Sequence, residues 1–568
     1  MSGPAATGEH EEEEMAALVP RPPPSPMKDG DLQCNDGGST ESTEHGISKV
    51  KPPSSWTWGR VVPTRGIGLV MGGLFVLSML VGSTSSNWWS QLDSSTFQLG
   101  TSVSGAARHG GHGRPPHHHT PSSAALRVPI PFNCINETSS TCRRAATSPS
   151  PSPSSSPSVP LPLAPSSTCP EYFRHIHKDL SPWRETGITR QAVERARHWA
   201  FFRLVVVDGR AYVVKYRRAF QTRDVFTQWG ILQLLARYPG RVPDLDIMFF
   251  CGDIPQVRAA GFPNPSTAPP LFGYCKDGAE ALDILFPDWT FWGWPEVNIR
   301  PWAPFLEEVM PENQRVPWPE REPYAYWKGN PTAGGEVRGD LMRCNASDGG
   351  KDWNARLFGQ DWRYAIRNDF KDSNLAKQCL YRYKIYVQGR GWSVSRKYIL
   401  ACDSLMLPID SPYQDFFSRG LVAGRHYWPI DNTRKCPSIK FAVDWGNAHP
   451  AQAQRMGEEG SSFAREEMSM DYVYDYMLHL LTNYARLLRY KPTVPGNAVE
   501  LCLESMACPE SGRSREFLLE SRERYVADYE PCTLPPPFTA DEVKEMVRRD
   551  EEVRSKVKRM EEEEEKKT

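Results

Sequence analysis

The segment 383–409 combines residue types and spacing that suit the binding of a phosphate group. Its aromatic and β-branched run at 383–387 predicts a buried strand. The letters QGRGWS at 388–393 then supply two glycines, one cation and one hydroxyl. Apolar residues at helical spacing predict a helix over 394–404, and a second apolar strand follows at 405–409.

A strand, a glycine-rich loop and a helix in this order present backbone amides to an anion. The glycines let the backbone approach a phosphate, Ser393 offers a hydroxyl, and Arg390 and Arg396 offer positive charge. The same spacing is typical of an ordinary crossover with a tight turn. Both interpretations are open on spacing alone.

Asp253 is the residue best placed to act as a general base. It lies in CGDIP at 251–255, directly after a mainly apolar run at 246–250 that predicts a buried strand. Open α/β sheets place functional groups at such strand ends. A carboxylate there would accept the proton of a hydroxyl as its oxygen attacks. A turn-forming residue or a helix cap is the alternative interpretation.

Composition excludes some classes of function. The net charge of −1 argues against a general nucleic-acid binder. The length of 568 residues suggests two or three folded units. Eighteen tryptophans and 21 tyrosines suit carbohydrate recognition and a large core equally well. Of the 13 cysteines, only Cys34 precedes an apolar run at 66–84. An even dozen after it predicts several disulfides in an oxidising lumen, and the absence of CxxC pairs disfavours zinc.

The N-terminal part predicts a type II membrane topology. Residues 1–65 are polar and predict a disordered cytosolic tail, and the uncharged run 66–84 predicts a transmembrane signal anchor. Basic residues cluster before this run and the next one after it is Arg108, which orients the C-terminus to the lumen. A cleaved signal peptide is the alternative. Residues 85–168 are rich in Ser, Pro, Gly and His and predict an extended stem. Asn136 lies in this stem and Asn345 lies beyond it, and both are in N-glycosylation sequons.

Residues 169–532 predict a folded α/β region. Two apolar runs around Asp208-Gly209 predict a hairpin, and periodic apolar residues predict helices over 224–237 and 463–490. Residues 538–568 open with a capping box formed by Thr539 and Glu542. Their high charge predicts a solvated or frayed helix.

Several of these segments together resemble glycosyltransferase family 90, the Rumi-like protein O-glucosyltransferases, and most closely its plant members. The segments that carry the resemblance are YKIYV and WSVSRKYILACDS in 383–404, CGDIP at 251–255, the aromatic segment 281–302 that contains WTFW, and YAYWKGNP at 324–331. The likeness covers about 169–532. It implies two Rossmann-like lobes in the GT-B arrangement and an inverting transfer from a UDP-sugar without metal or other cofactor.

The resemblance also assigns roles to individual residues. It implies that Asp253 is the base and that Trp289, Phe291 and Trp292 line the sugar or acceptor site, although such rings more often pack in a core. The residues it implies for UDP-sugar binding are Lys328, Asn330, Arg338, Arg390, Gly391, Trp392, Ser393, Val394 and Ser395.

Four further positions bear on donor chemistry. Gln388 and Arg396 depart from plant relatives, which commonly carry acidic residues there, and this leaves the donor sugar open. The D-x-D of Asp244 and Asp246 superficially matches a metal-binding motif. We predict no metal there, because both carboxylates lie at the entry of a strand.

The sequence therefore predicts a Golgi, or alternatively endoplasmic-reticulum, membrane enzyme. It would transfer glucose or xylose from UDP-glucose or UDP-xylose to a hydroxyl of a glycoprotein or a cell-wall polysaccharide. One alternative is a catalytically inactive lumenal sugar-binding or scaffold protein with the same fold. A glycoside hydrolase is the other, although that chemistry usually needs two opposed carboxylates and only Asp253 has a clear placement.

Overall fold

The computed structural model of the protein describes residues 127–134, 142, 167–345 and 350–567. The predicted tail 1–65, the anchor 66–84, most of the stem and the sequon residue Asn136 lie outside these ranges. Within them, no helix has both the length and the apolar content needed to cross a bilayer.

Twelve β-strands are found in the described residues. They are β1 Phe202–Val207, β2 Arg210–Lys215, β3 Leu245–Phe249, β4 Leu271–Gly273, β5 Lys276–Asp277, β6 Ile284–Leu285, β7 Glu322–Gly329, β8 Ala355–Gly359, β9 Tyr381–Tyr386, β10 Leu405–Pro408, β11 Tyr413–Gln414 and β12 Val499–Leu501.

The α-helices of the same ranges number thirteen. They are α1 His175–Asp179, α2 Arg190–Ala196, α3 Arg223–Arg237, α4 Trp302–Arg315, α5 Glu336–Met342, α6 Trp362–Arg367, α7 Ser395–Leu400, α8 Lys435–Ala448, α9 Pro450–Ser462, α10 Met470–Leu487, α11 Leu503–Ala507, α12 Gly512–Glu520 and α13 Ala540–Glu565.

The first sheet has six strands in the order β12-β2-β1-β3-β4-β6. Strands β1 and β2 form the predicted hairpin, whose two turn residues, Asp208 and Gly209, have φ of 50° and 72°. A two-residue connection requires antiparallel strands, and β1 is antiparallel to β3 as well. Only β3, β4 and β6 run parallel to one another. This sheet is therefore mixed, with antiparallel pairing among β12, β2, β1 and β3 and parallel pairing among β3, β4 and β6. The Rossmann-like character of the first half stays a prediction.

The second sheet is parallel throughout, with the order β10-β9-β7-β8. From β7 the chain crosses to β8 on one side and then returns to β9 on the other side. The order of the strands therefore reverses between β7 and β9, and ligands of open α/β sheets bind at the carboxyl ends of such a pair. The predicted α/β class is confirmed, and the segment predicted to bind a phosphate lies at this reversal.

Two hydrophobic clusters form the core. The larger one joins both sheets, because Tyr386, Trp392 and Met406 pack in the same cluster as Phe249 and Trp289. The smaller one lies on the other face of the parallel sheet, and some of its members are Trp327, Ile385, Leu407, Ile439 and Val557. Successive residues of a strand point to opposite faces, so Ile385 and Tyr386 face different clusters.

Two predicted helices are shorter than the periodicity indicated. Helix α7 ends at Leu400, because the chain turns there and Asp403 adopts a left-handed φ of 52°. In the segment 463–490, a π-helical turn over Phe463–Glu467 is followed by a break, and α10 begins at Met470.

The C-terminal helix is docked along one face, which corrects the prediction of a frayed element, while most of its residues are exposed, as a solvated helix predicts. The capping box of Thr539 and Glu542 is present as predicted. Val557 is only 7% exposed, and the hydroxyl of Ser438 donates to Glu561 at 2.6 Å. Arg174 pairs with Glu542 at 2.8 Å. Long-range packing of this kind leaves no signal in a highly charged helix.

Disulfides account for most of the described cysteines. The five pairs are Cys134–Cys508, Cys142–Cys502, Cys169–Cys532, Cys344–Cys436 and Cys379–Cys402. Cys251 and Cys275 are free and buried. The first two pairs bring part of the predicted stem onto the folded region, and the amide of Ile130 donates to the carbonyl of Arg524 at 2.8 Å.

Candidate active site

Arg338 joins the two loops that follow β7 and β9. From α5, its Nε donates to the carbonyl of Gln388 at 2.8 Å and its Nη1 donates to the carbonyl of Asn330 at 3.0 Å. The residue is 9% exposed. Burial lowers the pKa of Arg338 to about 10, although Tyr386 and Asp253 act against this effect. The side chain thus stays cationic at neutral pH, at the crevice where an anionic ligand is expected.

Gly391 brings the glycine-rich loop into contact with Asp253. A Cβ on Gly391 would overlap the carbonyl oxygen of Asp253 and would lie 3.1 Å from the sulfur of Cys275. The thiol of Cys275 donates to the same carbonyl at 3.0 Å. Only glycine permits this approach. The glycine-rich loop and the CGDIP segment, both predicted to carry chemistry, therefore contact each other through Gly391 and Asp253.

The carboxylate of Asp253 is held on one side only. Its Oδ1 accepts a hydrogen bond from Nη1 of Arg223, the first residue of α3, at 2.8 Å. The side chain of Asp253 is 23% exposed, whereas that of Arg223 is 6% exposed. No described residue donates a hydrogen bond to Oδ2. That oxygen is the one available to accept a proton.

Asp283 fixes the backbone that follows Asp253. Its two carboxylate oxygens accept the amides of Gln256 and Val257 at 3.0 and 2.9 Å. Burial raises the pKa of Asp283 to about 6, against the lowering effect of these amides. Asp283 is fully buried and therefore has a structural role.

The remaining residues of the glycine-rich loop are ordered by local bonds. The amide of Ser393 donates to the hydroxyl of Tyr386 at 3.1 Å, and the hydroxyls of Ser393 and Ser395 lie 2.9 Å apart. Both serines, Val394 and Arg390 are half-buried. Because α7 has only six residues, its dipole is weak. The amides and hydroxyls of the loop would therefore be the main hydrogen-bond donors to an anion.

Comparison with known proteins identifies the family of the chain. Residues 164–561 match the model of Glycosyl transferase family 90. The chain belongs to glycosyltransferase family 90. The match extends past the predicted limit at Cys532 and includes most of α13, which agrees with the docked position of that helix.

Relatives of this family-90 chain are named as O-glucosyltransferases. It is similar to O-glucosyltransferase rumi from Drosophila melanogaster, with 24% identity over 340 residues, which is 57% of this chain and 79% of rumi. It is also similar to Protein O-glucosyltransferase 1 from Homo sapiens, with 26% identity over 349 residues, which is 58% of this chain and 83% of the human protein. The resemblance to the Rumi-like enzymes is confirmed, and the protein is a glycosyltransferase of this family. Its plant-type character stays a prediction.

Three aromatic residues predicted to line the sugar site of this glycosyltransferase are core residues. Trp289, Phe291 and Trp292 are each exposed by 1% or less. Trp292 donates its indole N–H to Tyr474 at 3.0 Å, and the ring of Phe291 packs 5.6 Å from that of Phe416. A buried ring presents no face to a sugar, so this prediction is corrected.

Two predicted nucleotide contacts have structural partners. The ammonium of Lys328 donates to the carbonyl of Asp372 at 2.5 Å. Oδ1 of Asn330 accepts from the amide and hydroxyl of Thr332 at 3.0 and 2.8 Å. Asn330 therefore shapes the loop after β7 and supplies a carbonyl to Arg338.

Trp392 is buried at 5% exposure, with its ring 5.6 Å from Tyr274 and 6.2 Å from Trp289. It anchors the glycine-rich loop through these rings, and its contact with a UDP-sugar stays a prediction.

Gln388 and Arg396, the two positions expected to differ from plant relatives, both have internal partners. Arg396 is buried, lies 4.1 Å from the ring of Tyr386 and pairs with Asp415 at 3.6 Å. Burial acts to lower the pKa of Arg396, but Tyr386 and Asp415 outweigh it and raise that pKa. Gln388 contributes its carbonyl to Arg338.

The D-x-D carboxylates lie at the start of β3, at the end opposite Asp253. Asp246 accepts a bidentate pair of bonds from Arg203 at 2.7 and 2.6 Å. Asp244 accepts the amide of Asp208 at 2.9 Å. The two side chains thus have separate structural partners.

The sequon residue Asn345 accepts the amide of Leu357 at 2.9 Å at the edge strand β8, and its glycosylation stays a prediction.

Sequence reasoning missed Arg223 and Cys275 as site residues. Arg223 lies 30 residues before Asp253, and the only available signal was a cation at the start of a helix next to β3. Cys275 gave no signal, because it was counted among paired cysteines.

Proposed function

We propose that this protein transfers a glucosyl or xylosyl group from a UDP-sugar to a hydroxyl group, with inversion at the anomeric carbon. The observation that carries the proposal is the contact between Asp253 and Gly391 of the glycine-rich loop. It places a partly exposed carboxylate beside the loop that would bind the diphosphate. Names of the relatives support a glucosyl donor and a protein acceptor.

Asp253 would act as the general base. Its Oδ2 accepts the proton of the acceptor hydroxyl while the oxygen forms a bond to the anomeric carbon. The bond from that carbon to the UDP oxygen breaks in the same step, and the electron pair leaves with UDP. Attack opposite the leaving group inverts the carbon and requires one carboxylate only.

Arg338 and the glycine-rich loop would stabilise the leaving diphosphate. A buried guanidinium and fixed amide or hydroxyl donors interact strongly with developing negative charge. Binding of an anion would also offset the desolvation that lowers the pKa of Arg338. These residues support a mechanism without metal, which is part of the proposal.

We further propose a GT-B arrangement and a type II membrane protein of the Golgi, with the endoplasmic reticulum as the alternative location. Basic residues before the apolar run 66–84 support this topology, and the disulfides support a lumenal enzyme. The acceptor is a glycoprotein hydroxyl, and a cell-wall polysaccharide is the second candidate.

A donor screen tests the proposal. A secreted fragment of residues 127–568 retains Cys134 and Cys142, whose partners lie in the folded region. We expect it to hydrolyse or transfer from UDP-glucose or UDP-xylose, with equal rates with and without EDTA. Loss of activity with EDTA would contradict the metal-free step. UDP binding without turnover of any UDP-sugar would favour the scaffold alternative, and sugar release from glycans without nucleotide would favour a hydrolase.

A further inference from the structure

We infer that Arg223 is a positioning residue for Asp253, and that the aromatic segment around Trp289 acts on the reaction through Arg223. The inference rests on the proposed function, because it assigns a role relative to the proposed base. It also gives the buried aromatic segment a function that does not require contact with a sugar.

The guanidinium of Arg223 is fixed between two oxygens. Its Nη1 donates to Oδ1 of Asp253 at 2.8 Å and to the carbonyl of Cys251 at 3.3 Å. Cys251 lies two residues before Asp253, so one nitrogen binds both the backbone and the side chain of the same turn. This geometry fixes the carboxylate relative to the end of β3.

Aromatic rings surround the guanidinium. Its central carbon lies 4.6 Å from a ring centroid of Trp289, 5.0 Å from that of Phe220 and 5.6 Å from that of Trp294. A cation near aromatic faces is attracted to them, and the attraction is stronger where water is excluded. The side chain of Arg223 is 6% exposed, so these rings exclude most water from the guanidinium and restrict its movement.

The segment before Arg223 is tied to the same aromatic region. The indole N–H of Trp294 donates to Oε1 of Gln221 at 2.6 Å, and the hydroxyl of Thr222 donates to Oε2 of Glu296 at 2.9 Å. The start of α3 and the aromatic segment therefore hold each other. Movement of either would be transmitted to the guanidinium and then to Asp253.

The backbone and side chain of Asp253 have different supports. Gly391 and Cys275 contact its carbonyl oxygen, whereas Arg223 binds its carboxylate. Among the described residues, Arg223 is the cation that forms an ion pair with Asp253. Binding through Oδ1 leaves Oδ2 as the oxygen that can accept the proton of an acceptor. A fixed base close to the attacking oxygen is worth orders of magnitude in rate.

If the ion pair between Arg223 and Asp253 only stabilised the fold, substitution of Arg223 would have a different effect from the one expected for a positioning residue. The carboxylate of Asp253 is 23% exposed and would be solvated without Arg223. A pair of this kind contributes modestly to stability, since solvent screens the exposed partner. A role in stability alone would change the melting temperature, and kcat would not depend on a cation at this position.

The test compares Arg223→Gln, Arg223→Lys and Arg223→Ala in the glycosyltransferase assay. For Arg223→Gln we expect kcat to fall by about 100-fold, while the donor KM and the Kd for UDP stay within about threefold. Arg223→Lys should recover at least about tenfold of this loss, because one nitrogen makes the observed bond. Added guanidinium at millimolar concentration should raise kcat of Arg223→Ala and should not raise that of the Arg223→Ala/Asp253→Asn double variant.

Arg203→Gln is the matched control, since Arg203 and Asp246 form a buried pair at the opposite end of β3. It should lower the melting temperature and leave kcat within about threefold. A folded Arg223→Gln with kcat within about threefold of wild type would overturn the inference. If Arg223→Gln does not fold, a wild-type kcat for Gln221→Ala, which loosens the same segment, would overturn it. Full activity of Asp253→Asn would instead refute the proposed function.

Discussion

At the scale of residues, the site depends on an approach that only glycine permits. The loop after β9 reaches the carbonyl oxygen of Asp253 at Gly391, and a side chain would occupy the same space. Overpacking of this kind forces the backbone to shift and lowers the free energy of unfolding by about 1–3 kcal/mol. Because the obstacle is backbone, no side-chain rotation relieves it.

We therefore expect Gly391→Ala to separate the loop from Asp253. Donor KM should rise and kcat should fall, each by about tenfold, as measured by steady-state kinetics with the preferred UDP-sugar. Gly339→Ala is the control, because Gly339 lies in α5 with open space at its Cβ. Helix propensity predicts a small stabilisation for it, below about 1 kcal/mol. Equal kinetics for both variants would show that the contact at Gly391 is unimportant.

The sequence predicted those residues whose roles can be read from their immediate neighbours in the chain. Asp253 follows a strand, and Gly391 interrupts two apolar segments, so both have local signatures. Arg223 and Cys275 were not predicted, because their roles arise when separate strands and helices meet. Trp289 and Trp292 show the converse case, since an aromatic run alone does not reveal whether its rings are exposed.

At the scale of elements, helix α13 is an integral part of the domain. One face of it packs on the smaller hydrophobic cluster through Val553, Val557 and Met560, while Val547 is 51% exposed. Its charges pair with other elements, as Arg174 with Glu542 shows. The hairpin of β1 and β2 was predictable because its signal is contiguous, whereas docking of α13 depends on residues more than 100 positions away.

We expect Val557→Ala to lower the free energy of unfolding by about 1–3 kcal/mol, because it removes buried methyl groups. Val547→Ala on the same helix should change it by less than about 0.5 kcal/mol. Denaturant unfolding of the two variants measures the difference. An equal effect of both substitutions would mean that α13 does not pack on the domain.

At the scale of the whole molecule, disulfides connect distant parts of the chain. Cys134–Cys508 spans 374 residues and Cys169–Cys532 spans 363 residues, so N-terminal and C-terminal segments are joined. The sequence predicted several disulfides from the even number of cysteines but gave no connectivity. It also gave no means of separating Cys251 and Cys275 from the paired ones.

Alkylation of the denatured, unreduced protein tests this pattern. Peptide mapping should find Cys251 and Cys275 labelled and the ten cysteines of the five pairs protected. In the native protein both free thiols should resist the reagent, because they are buried and burial raises their pKa. Protection of Cys251 and Cys275 after denaturation would contradict the assignment.

The central claim is that Asp253 removes a proton in a sugar transfer whose donor is held by the loop at Gly391. Its most direct measurement compares Asp253→Asn with wild type in both sugar transfer and UDP binding. The account predicts a loss of about 10²–10⁴-fold in the transfer rate, since the amide cannot accept the proton. The Kd for UDP should stay within about threefold. Transfer at the wild-type rate by a folded Asp253→Asn protein would contradict the account.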